Sequence, residues 1–335
     1  MTEEYVAITP IEKDERADAL RRRVKGLLVE ERGYAQLTAD ARRGVDDVFA
    51  SLEGMRFDSR AALERVLTQL LTPVAPTILG YVGLALDAAA REIGAVPGVL
   101  VIYAGGTIGS APKDPLDPDS PQVVKPWADL KRATPQLSLL GYPIDAVSFV
   151  EPLDSCNVGP PHWRTIAKII SDAYADYAGF VVLHGTDSLV YTASALSFML
   201  ADLGKPVVLT GSQIAGIVNP RNDAHQNMVT ALMLANPAAS RVPPIPEVII
   251  AFGNQILRGN RSKKLNVVGY QGFGSPNFPA LGEAGEFLTI NRRLVAEPRS
   301  SPLRILSRLD TNVIVVEVFP GMQHSPIMEN ILKDA

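Results

Sequence analysis

The sequence is poor in the residues that build disulfide frameworks and zinc sites. It has one cysteine, Cys156, and four histidines in 335 residues, so a disulfide framework is excluded and no Cys/His cluster has zinc-site spacing. Basic residues do not outnumber acidic ones, and the formal net charge is -4. The composition therefore lacks the excess of positive charge that is typical of proteins that bind nucleic acids, and we predict no nucleic-acid partner. What remains is a soluble, globular composition with a length of about two domains.

The sequence also lacks an export signal and a continuous membrane span. The N-terminus, MTEEYVAITPIEKDER, has no basic segment followed by an apolar one, and we therefore predict a cytoplasmic protein. The stretch from Val66 to Leu86 has no charge, but it contains Pro73 and Pro76. It is more typical of a break between two buried helices than of a transmembrane helix, so we predict no membrane partner.

The first third of the chain differs from the rest in charge density and in apolar spacing. Its first 98 residues hold 29 of the 68 charged residues, and its apolar residues recur at helical spacing. Thr38 and Ser59 are typical helix N-caps, and Gly33 and Pro73 are typical helix stops. We predict an all-helical extension over residues 1–97.

From Val99 onward the apolar pattern is that of strands buried on both faces. The segments are VLVIYA (99–104), IDAVSFV (144–150), GFVVLH (179–184), PVVLTG (206–211) and EVIIAFG (247–253). Helical patterns occupy residues 162–177, 189–203 and 223–234. This alternation predicts an α/β fold, a Rossmann-like and mainly parallel sheet with helices on both faces, whose ligands bind in the turns that follow the strands.

Two of these turns carry threonine. In AGGTIGS (104–110), two glycines allow the backbone to approach a ligand and present Thr107, although no phosphate-loop motif follows. In HGTDS (184–188), Thr186 and Asp187 lie where a helix begins, so they are equally typical of N-caps and of an anion-binding turn. His184, alone in an apolar run, is more typical of a packed residue than of a base.

A third turn, RGNRSKK (258–264), carries the paired lysines Lys263 and Lys264. Adjacent lysines more often form a solvated face than a catalytic group. A lysine at a buried site can, however, act as a base toward a threonine hydroxyl, which needs activation before it attacks an acyl carbon. A Thr–Lys–Asp set would provide that activation without histidine or cysteine, and acyl transfer is therefore the chemistry that these turns favour.

Together, AGGTIGS, LDSCN (153–157), the segment from GFVVLHGTDS to VVLTGSQ (179–213) and RGNRSKK resemble the L-asparaginase family, in particular its cytosolic bacterial type I branch. The resemblance covers about residues 99–320. It implies hydrolysis of L-asparagine, with L-glutamine as a second candidate, to the acid and ammonia through a threonine acyl-enzyme, without a metal or a cofactor. It implies that Thr107 is the nucleophile and that Lys264 and Asp187 tune Thr186.

The same resemblance implies a set of substrate-binding residues. Asp187, beside Thr186, would receive the substrate ammonium, and Ser155 would hold the substrate carboxylate, with Asp154 beside it. Cys156 stands where type I relatives usually carry serine. Because an amino-acid amide carries a cation and a carboxylate next to the scissile group, one aspartate and the N–H groups of a helix start suit it.

The sequence departs from the family in three ways. Residues 110–140, the expected mobile loop, contain no tyrosine. The helical extension has no counterpart in the short bacterial enzymes. Of the family's second domain, we expect only the first part in this sequence. We predict an α/β domain at 98–290, a linker at 291–310 and the start of a truncated second domain at 311–335, with a strand at NVIVVEVF (312–319). A homo-oligomer is expected where that domain is completed.

Two alternatives remain open at this stage. One is the related amidotransferase subunit that releases ammonia for transfer to a charged tRNA, whose extension is expected to be β-rich. The other is an inactive relative that binds or regulates. The missing tyrosine and the expected truncation of the second domain favour it, and the presence of Thr107, Thr186, Asp187 and Lys264 disfavours it.

Overall fold

The computed structural model describes residues 7–9, 15–30, 32–52, 60–82, 85, 97–114, 117, 120–217, 219–299, 301–317, 319–320 and 333. The α-helices are α1 (Glu15–Glu30), α2 (Arg32–Ala35), α3 (Ala39–Ser51), α4 (Arg60–Leu71), α5 (Trp127–Ala133), α6 (Pro160–Asp172), α7 (Leu189–Met199), α8 (Ala224–Ala235) and α9 (Pro237–Ser240). The strands are β1 (Val99–Gly105), β2 (Ser110–Pro112), β3 (Gln122–Val124), β4 (Ile144–Leu153), β5 (Gly179–Leu183), β6 (Leu200–Ala201), β7 (Val207–Thr210), β8 (Val248–Phe252), β9 (Gln255–Arg258), β10 (Lys263–Lys264), β11 (Phe273–Gly274), β12 (Gly282–Ala284), β13 (Leu288–Ile290) and β14 (Arg304–Ile305).

A mixed, mostly parallel sheet organises the α/β region. Within the described residues its strand order is β13-β12-β9-β8-β7-β5-β1-β4. The strands from β8 to β4 are mutually parallel, whereas β9, β12 and β13 continue the sheet in antiparallel pairs. Every residue of β1, β5, β7 and β8 is buried, which accounts for their uninterrupted apolar runs. The predicted α/β fold is therefore confirmed.

Helices cover both faces of this sheet, as predicted. Leu100 and Ile102 of β1 pack in one apolar layer with α6 and α7. Val99 and Val101 pack in the opposite layer with α5 and α8, because successive side chains on a strand point to opposite faces. The helix predicted at 189–203 ends earlier, at Met199, because the next two residues form β6 and pair with β14.

The N-terminal helices pack around an apolar core of their own. Its fully buried members include Val24, Leu28, Val45, Leu52, Leu67 and Leu71. Thr38 caps α3 as predicted, since its Oγ1 accepts a hydrogen bond of 3.2 Å from the Ala41 N–H. Ser59 lies outside the described residues, and Gly33 lies within α2 rather than ending a helix.

The uncharged stretch that begins at Val66 is interrupted, as predicted. The first residues of this stretch belong to α4, which ends at Leu71, just before Pro73. A separate 3-10 turn then spans Pro76–Ile78. Among the described residues, no helix combines the length and apolarity that crossing a membrane requires.

The prediction that the extension is entirely helical is wrong for residues 7–9. Ile8 forms an antiparallel bridge with Phe149 of β4. The Thr9 N–H donates to the Ser148 carbonyl at 2.7 Å, and the Thr9 Oγ1 accepts from the Ser148 N–H at 2.9 Å. The reason is that β4 lies at the edge of the sheet, where unpaired backbone groups accept an extended partner.

The strand predicted at 312–319 is absent from residues 312–317, which the structure describes as irregular. Val313, Ile314 and Val315 are 68%, 65% and 90% exposed. An apolar strand forms only where neighbouring strands pair with its edges, and none of the described residues does so here. Within the predicted linker, by contrast, β14 pairs with β6. The domain boundaries themselves stay predictions.

Candidate active site

The turns that follow β1, β4 and β5 meet at the carboxyl end of the sheet. The strand order places β1 between β4 and β5, and this change of direction in the strand order is where open α/β sheets form their ligand-binding crevice. Gly106, with φ at +90°, lies so close to the next turn that a Cβ on it would be 2.5 Å from the Gly185 nitrogen. A Cβ on Gly185 would in turn be 2.6 Å from the Ser155 Oγ. The three turns are therefore in direct contact.

Lys264 joins this cluster from a distant part of the chain. Its Nζ donates hydrogen bonds of 2.9 Å to the Thr186 Oγ1 and 2.8 Å to the Asp187 Oδ1. The short β10–β11 pairing holds Lys264 opposite Phe273, and neighbouring side chains on a strand point to opposite sides. Lys263 is accordingly exposed, whereas the Lys264 side chain is only 16% exposed. The solvated interpretation of the two lysines thus applies to Lys263 alone.

Asp187 is held in its charged form by its neighbours. The hydrogen bond from Lys264 is the largest influence on its carboxyl and holds the pKa below its usual range, with partial burial opposing it. Ser155 and Cys156 add hydrogen bonds in the same direction. Asp187 is also exposed to solvent, so one side of an ionised carboxylate stays accessible to a cationic ligand.

The turn after β4 presents Ser155 and Cys156 to Asp187. Asp154 caps a 3-10 turn, its Oδ1 accepting from the Cys156 N–H at 3.0 Å. The Ser155 hydroxyl donates to the Asp187 Oδ2 at 3.4 Å and accepts from the Asp187 N–H at 3.3 Å. Ser188, which the sequence reasoning did not single out, clamps this turn by donating from its Oγ to the Ser155 carbonyl at 2.5 Å. Its position within HGTDS was the only available signal.

Cys156 contacts the same carboxylate as Ser155. Its Sγ lies 3.5 Å from the Asp187 Oδ2, and the side chain is exposed. The negative charge of Asp154, followed by the interaction with Asp187, raises the pKa of the thiol. The thiol therefore stays protonated at neutral pH and donates a hydrogen bond to the Asp187 carboxylate, as a serine hydroxyl at this position would.

Thr107 opens a 3-10 turn directly after β1 and is partly buried. The hydrogen bonds of the described residues do not connect its hydroxyl to Thr186, Asp187 or Lys264. What brings the two threonine turns together is the backbone contact between Gly106 and Gly185, the residues that precede Thr107 and Thr186. The loop that follows begins as a hairpin in which β2 pairs with β3.

Three side chains of this cluster have the geometry of possible metal ligands. Donor atoms of Asp154, Cys156 and Asp187 lie within 4.8 Å of one another. Asp187 is already paired with the Lys264 ammonium through its Oδ1, so part of the negative charge of this cluster is compensated. The absence of a metal from the reaction stays a prediction.

His184 is a packed residue, as predicted. It is 1% exposed, and burial lowers its pKa to about 4. The ring is therefore neutral at neutral pH, and it has no access to the crevice as a general base.

Comparison with known proteins points to one family. Residues 98–296 match the family model described as "Asparaginase, N-terminal". L-asparaginase 1 of Escherichia coli K12 is 38% identical over 240 residues, which cover 70% of this chain and 67% of that protein. The 60 kDa lysophospholipase of Mus musculus is 41% identical over 173 residues, or 51% of this chain and 30% of that protein.

A solved structure agrees with this match. The crystal structure of L-asparaginase I from Vibrio cholerae superposes with a TM-score of 0.60 at 33% identity, covering 70% of this chain and 68% of that one. The residues of the family match include all three turns and Lys264.

Proposed function

This chain belongs to the asparaginase family and is thus an amidohydrolase, and we propose that it hydrolyses L-asparagine to L-aspartate and ammonia. The observation that carries the proposal is the contact of Lys264 with both Thr186 and Asp187, at 2.9 and 2.8 Å. Thr186 and Asp187 precede Lys264 by 78 and 77 residues in the sequence. A partly buried lysine beside a threonine hydroxyl is an arrangement that activates oxygen for acyl transfer.

The groups around the crevice suit an amino-acid amide. The exposed side of the Asp187 carboxylate would pair with the substrate ammonium, a charge-assisted contact. The Ser155 hydroxyl would bind the substrate carboxylate, with Asp154 and Cys156 completing that turn. Since Ser155 and Asp187 are already hydrogen-bonded to each other, a single ligand can reach both.

In the proposed first step, the Thr107 oxygen forms a bond to the amide carbon and the carbon–nitrogen bond breaks. The Thr107 proton ends on the leaving nitrogen, so that ammonia departs and a threonine ester of the substrate remains. Water then adds to the ester carbon and the ester bond breaks, which yields L-aspartate and restores the Thr107 hydroxyl. The sum is one amide and one water converted to one acid and one ammonia.

Thr186, Lys264 and Asp187 would move the proton in both steps. Thr186 gives its hydroxyl proton to the leaving nitrogen while it takes the proton of Thr107, and the reverse exchange serves the attacking water. The Lys264 ammonium stabilises negative charge on the Thr186 oxygen during the exchange. The Asp187 carboxylate balances the positive charge of Lys264. Because the pKa of Asp187 is lowered, this carboxylate is ionised at neutral pH.

We expect L-glutamine to be a weaker substrate. Its side chain has one more methylene, and one methylene changes the specificity constant by about 10- to 200-fold in a fitted pocket. The amidotransferase alternative is less well supported, because the described N-terminal residues form helices and not the expected β-rich extension.

We also propose that the protein acts in the cytoplasm on this small-molecule substrate and forms homo-oligomers where its second domain is completed. The exposed apolar side chains from Val313 to Val316 support self-association, because such clusters are typical of interaction surfaces. Light scattering coupled to size-exclusion chromatography would measure the oligomeric state of a chain that includes the completed domain, and a monomer at all concentrations would contradict this part of the proposal.

The decisive test is ammonia release from L-asparagine and L-glutamine by the purified chain, beside Thr107→Ala and Thr186→Ala. We expect both variants to lose activity by about 10³-fold or more, as removal of one member of a catalytic unit does. Thr38→Ala is the matched control, because it makes the same change in the helical extension. The proposal would be overturned if the unmodified chain, shown to be folded by circular dichroism, released no ammonia, and this result would favour an inactive relative. It would also be overturned if both threonine variants released ammonia at the rate of the unmodified chain.

A further inference from the structure

We propose that His184 is a positioning residue for the Thr186 turn, held by Thr192 and Trp163 through a directed chain of hydrogen bonds that ends on the Gly185 carbonyl. The inference rests on the proposed function, because its effect is on the rate of that reaction. His184, Thr192 and Trp163 touch neither substrate nor the reacting atoms. They lie behind the turn, in the apolar layer that α6 and α7 form against the sheet.

The chain of hydrogen bonds has only one consistent direction. The Trp163 indole N–H can only donate, and it lies 2.9 Å from the Thr192 Oγ1. The Gly185 carbonyl can only accept, and it lies 2.7 Å from the His184 Nδ1. In the neutral ring the Nε2 is then the acceptor, and it receives the Thr192 hydroxyl at 3.0 Å. Trp163 thus donates to Thr192, Thr192 to His184, and His184 to Gly185.

The end of this chain is the point where the three turns of the crevice meet. Gly185 is packed between the Gly106 backbone and the Ser155 side chain, with no room for a Cβ on either glycine. A hydrogen bond on its carbonyl fixes the plane of the peptide that joins Gly185 to Thr186. Because the described peptides are trans, the Thr186 N–H points away from His184. Rotation of this plane would move Thr186 relative to Lys264.

The network is also buried, so its bonds are costly to leave unmade. Thr192 has no exposed surface and His184 has 1%. Removal of the Thr192 hydroxyl leaves both the His184 Nε2 lone pair and the Trp163 indole N–H without their partner in a region closed to water, so the ring loses the contact that fixes its position. A displaced ring distorts the hydrogen bond from its Nδ1 to the Gly185 carbonyl, which then holds the peptide plane less well.

The test separates the hydroxyl of Thr192 from its packing. Thr192→Val keeps the shape and removes the hydroxyl, whereas Thr192→Ser keeps the hydroxyl and removes a methyl group. Thr165→Val, which removes a hydroxyl bonded to the Pro161 carbonyl of the same helix α6, is the matched control. For each protein, kcat and KM for L-asparagine and the melting temperature are measured, with kinetics well below every melting temperature.

We expect Thr192→Val to lower kcat by about tenfold with less than a threefold change in KM, as small displacements of reacting groups do. Thr192→Ser should keep kcat within about twofold even where its melting temperature falls, because the hydrogen bond to His184 is retained. Thr165→Val should keep both kinetic constants. Trp163→Phe, which removes only the outermost donor, should lower kcat by about threefold and serves if Thr192→Val fails to fold.

Two results would overturn the inference. One is a kcat that follows the melting temperature across the Thr192 variants, whichever group is removed, since this is the behaviour of a purely structural residue. The other is an unchanged kcat in Thr192→Val and Trp163→Phe. Failure of the proposed function is distinguishable from both, because the unmodified chain would then release no ammonia at all.

Discussion

Two ion pairs, one in the helical extension and one in the α/β region, have nearly the same length and very different surroundings. Lys25 contacts Asp46 at 2.7 Å on the surface of the extension, with lysine and aspartate side chains 37% and 54% exposed. Lys264 contacts Asp187 at 2.8 Å, with exposures of 16% and 58%. The aspartates are similar, and the difference lies in the lysine, which in the second pair is largely removed from water and shares its charge with Thr186.

The comparison teaches that the sheet, and not the ion pair, creates the reactive arrangement. In the extension, helices pack side by side around one apolar core, Thr38 caps one of them, and the buried Arg21 is satisfied by a backbone carbonyl, that of Leu52. In the α/β region, parallel strands end at one edge and bring turns from separate parts of the chain into contact. Polar side chains from those turns therefore come within hydrogen-bonding distance of one another, and Thr186, Lys264 and Asp187 form a network although Asp187 itself stays exposed.

Replacement of the two lysines should give the largest contrast between the regions. Lys264→Met should lower the rate of ammonia release by about 10³-fold or more, because Thr186 and Asp187 both lose their shared donor. Lys25→Met should leave that rate unchanged and alter the free energy of unfolding by less than about 1 kcal/mol, as exposed pairs do. Steady-state kinetics and urea unfolding measure both. Comparable rates in the two variants would remove the catalytic distinction between the pairs.

Lowering the pH should reduce the contribution of the Lys264–Asp187 pair to the free energy of unfolding. Because the folded-state pKa of Asp187 is lowered, its carboxylate contributes stability that is present above the ordinary aspartate pKa and is lost as pH falls through the lowered folded value. The difference in unfolding free energy between the unmodified chain and Asp187→Asn should therefore shrink as pH is lowered below about 4. A difference that stays constant down to pH 2, measured by urea unfolding, would contradict the sign of the shift.

The smallest expected effect concerns the bridge between the two regions. Thr9→Pro removes the N–H that donates to the Ser148 carbonyl at the edge strand β4, at a cost of about 1 kcal/mol. Since β4 leads into the turn that carries Ser155, we also expect KM for L-asparagine to rise by less than threefold, with kcat unchanged. Thr9→Val, which keeps the backbone N–H, is the control. Equal stability of the two variants would show that the bridge does not tie the extension to the sheet.

Much of the fold could be predicted from the sequence because the patterns that indicate it are local. The buried strands read as continuous apolar runs, and Thr38 and Pro73 mark helix ends by their own chemistry. It did not reach residues 7–9, whose extended pairing depends on the edge of β4, nor the irregular path of 312–317, where an apolar strand pattern meets no partner among the described residues. In both cases the neighbouring strand, and not the segment itself, decides the outcome.

The candidate site divides in the same way. The turns after β1 and β5 drew attention to Thr107, Thr186 and Asp187 by their position alone. The choice of Lys264 over Lys263 required the family resemblance, because the two adjacent lysines are equivalent in composition. Ser188 and the network behind Gly185 were missed, since a serine at a helix start and a histidine in an apolar run are ordinary features until their partners are known.

The order of apolar and polar residues by itself determined that this chain has a helical extension and a parallel sheet, because burial periodicity and turn chemistry act over a few residues. The identities of the residues in the turns determined which motifs are present and therefore the family. Only the tertiary structure decided which of those residues touch. Lys264 meets Thr186 and Asp187, and Gly106 meets Gly185, because strand order and β10–β11 pairing bring together segments far apart along the chain, and no local interaction encodes that contact.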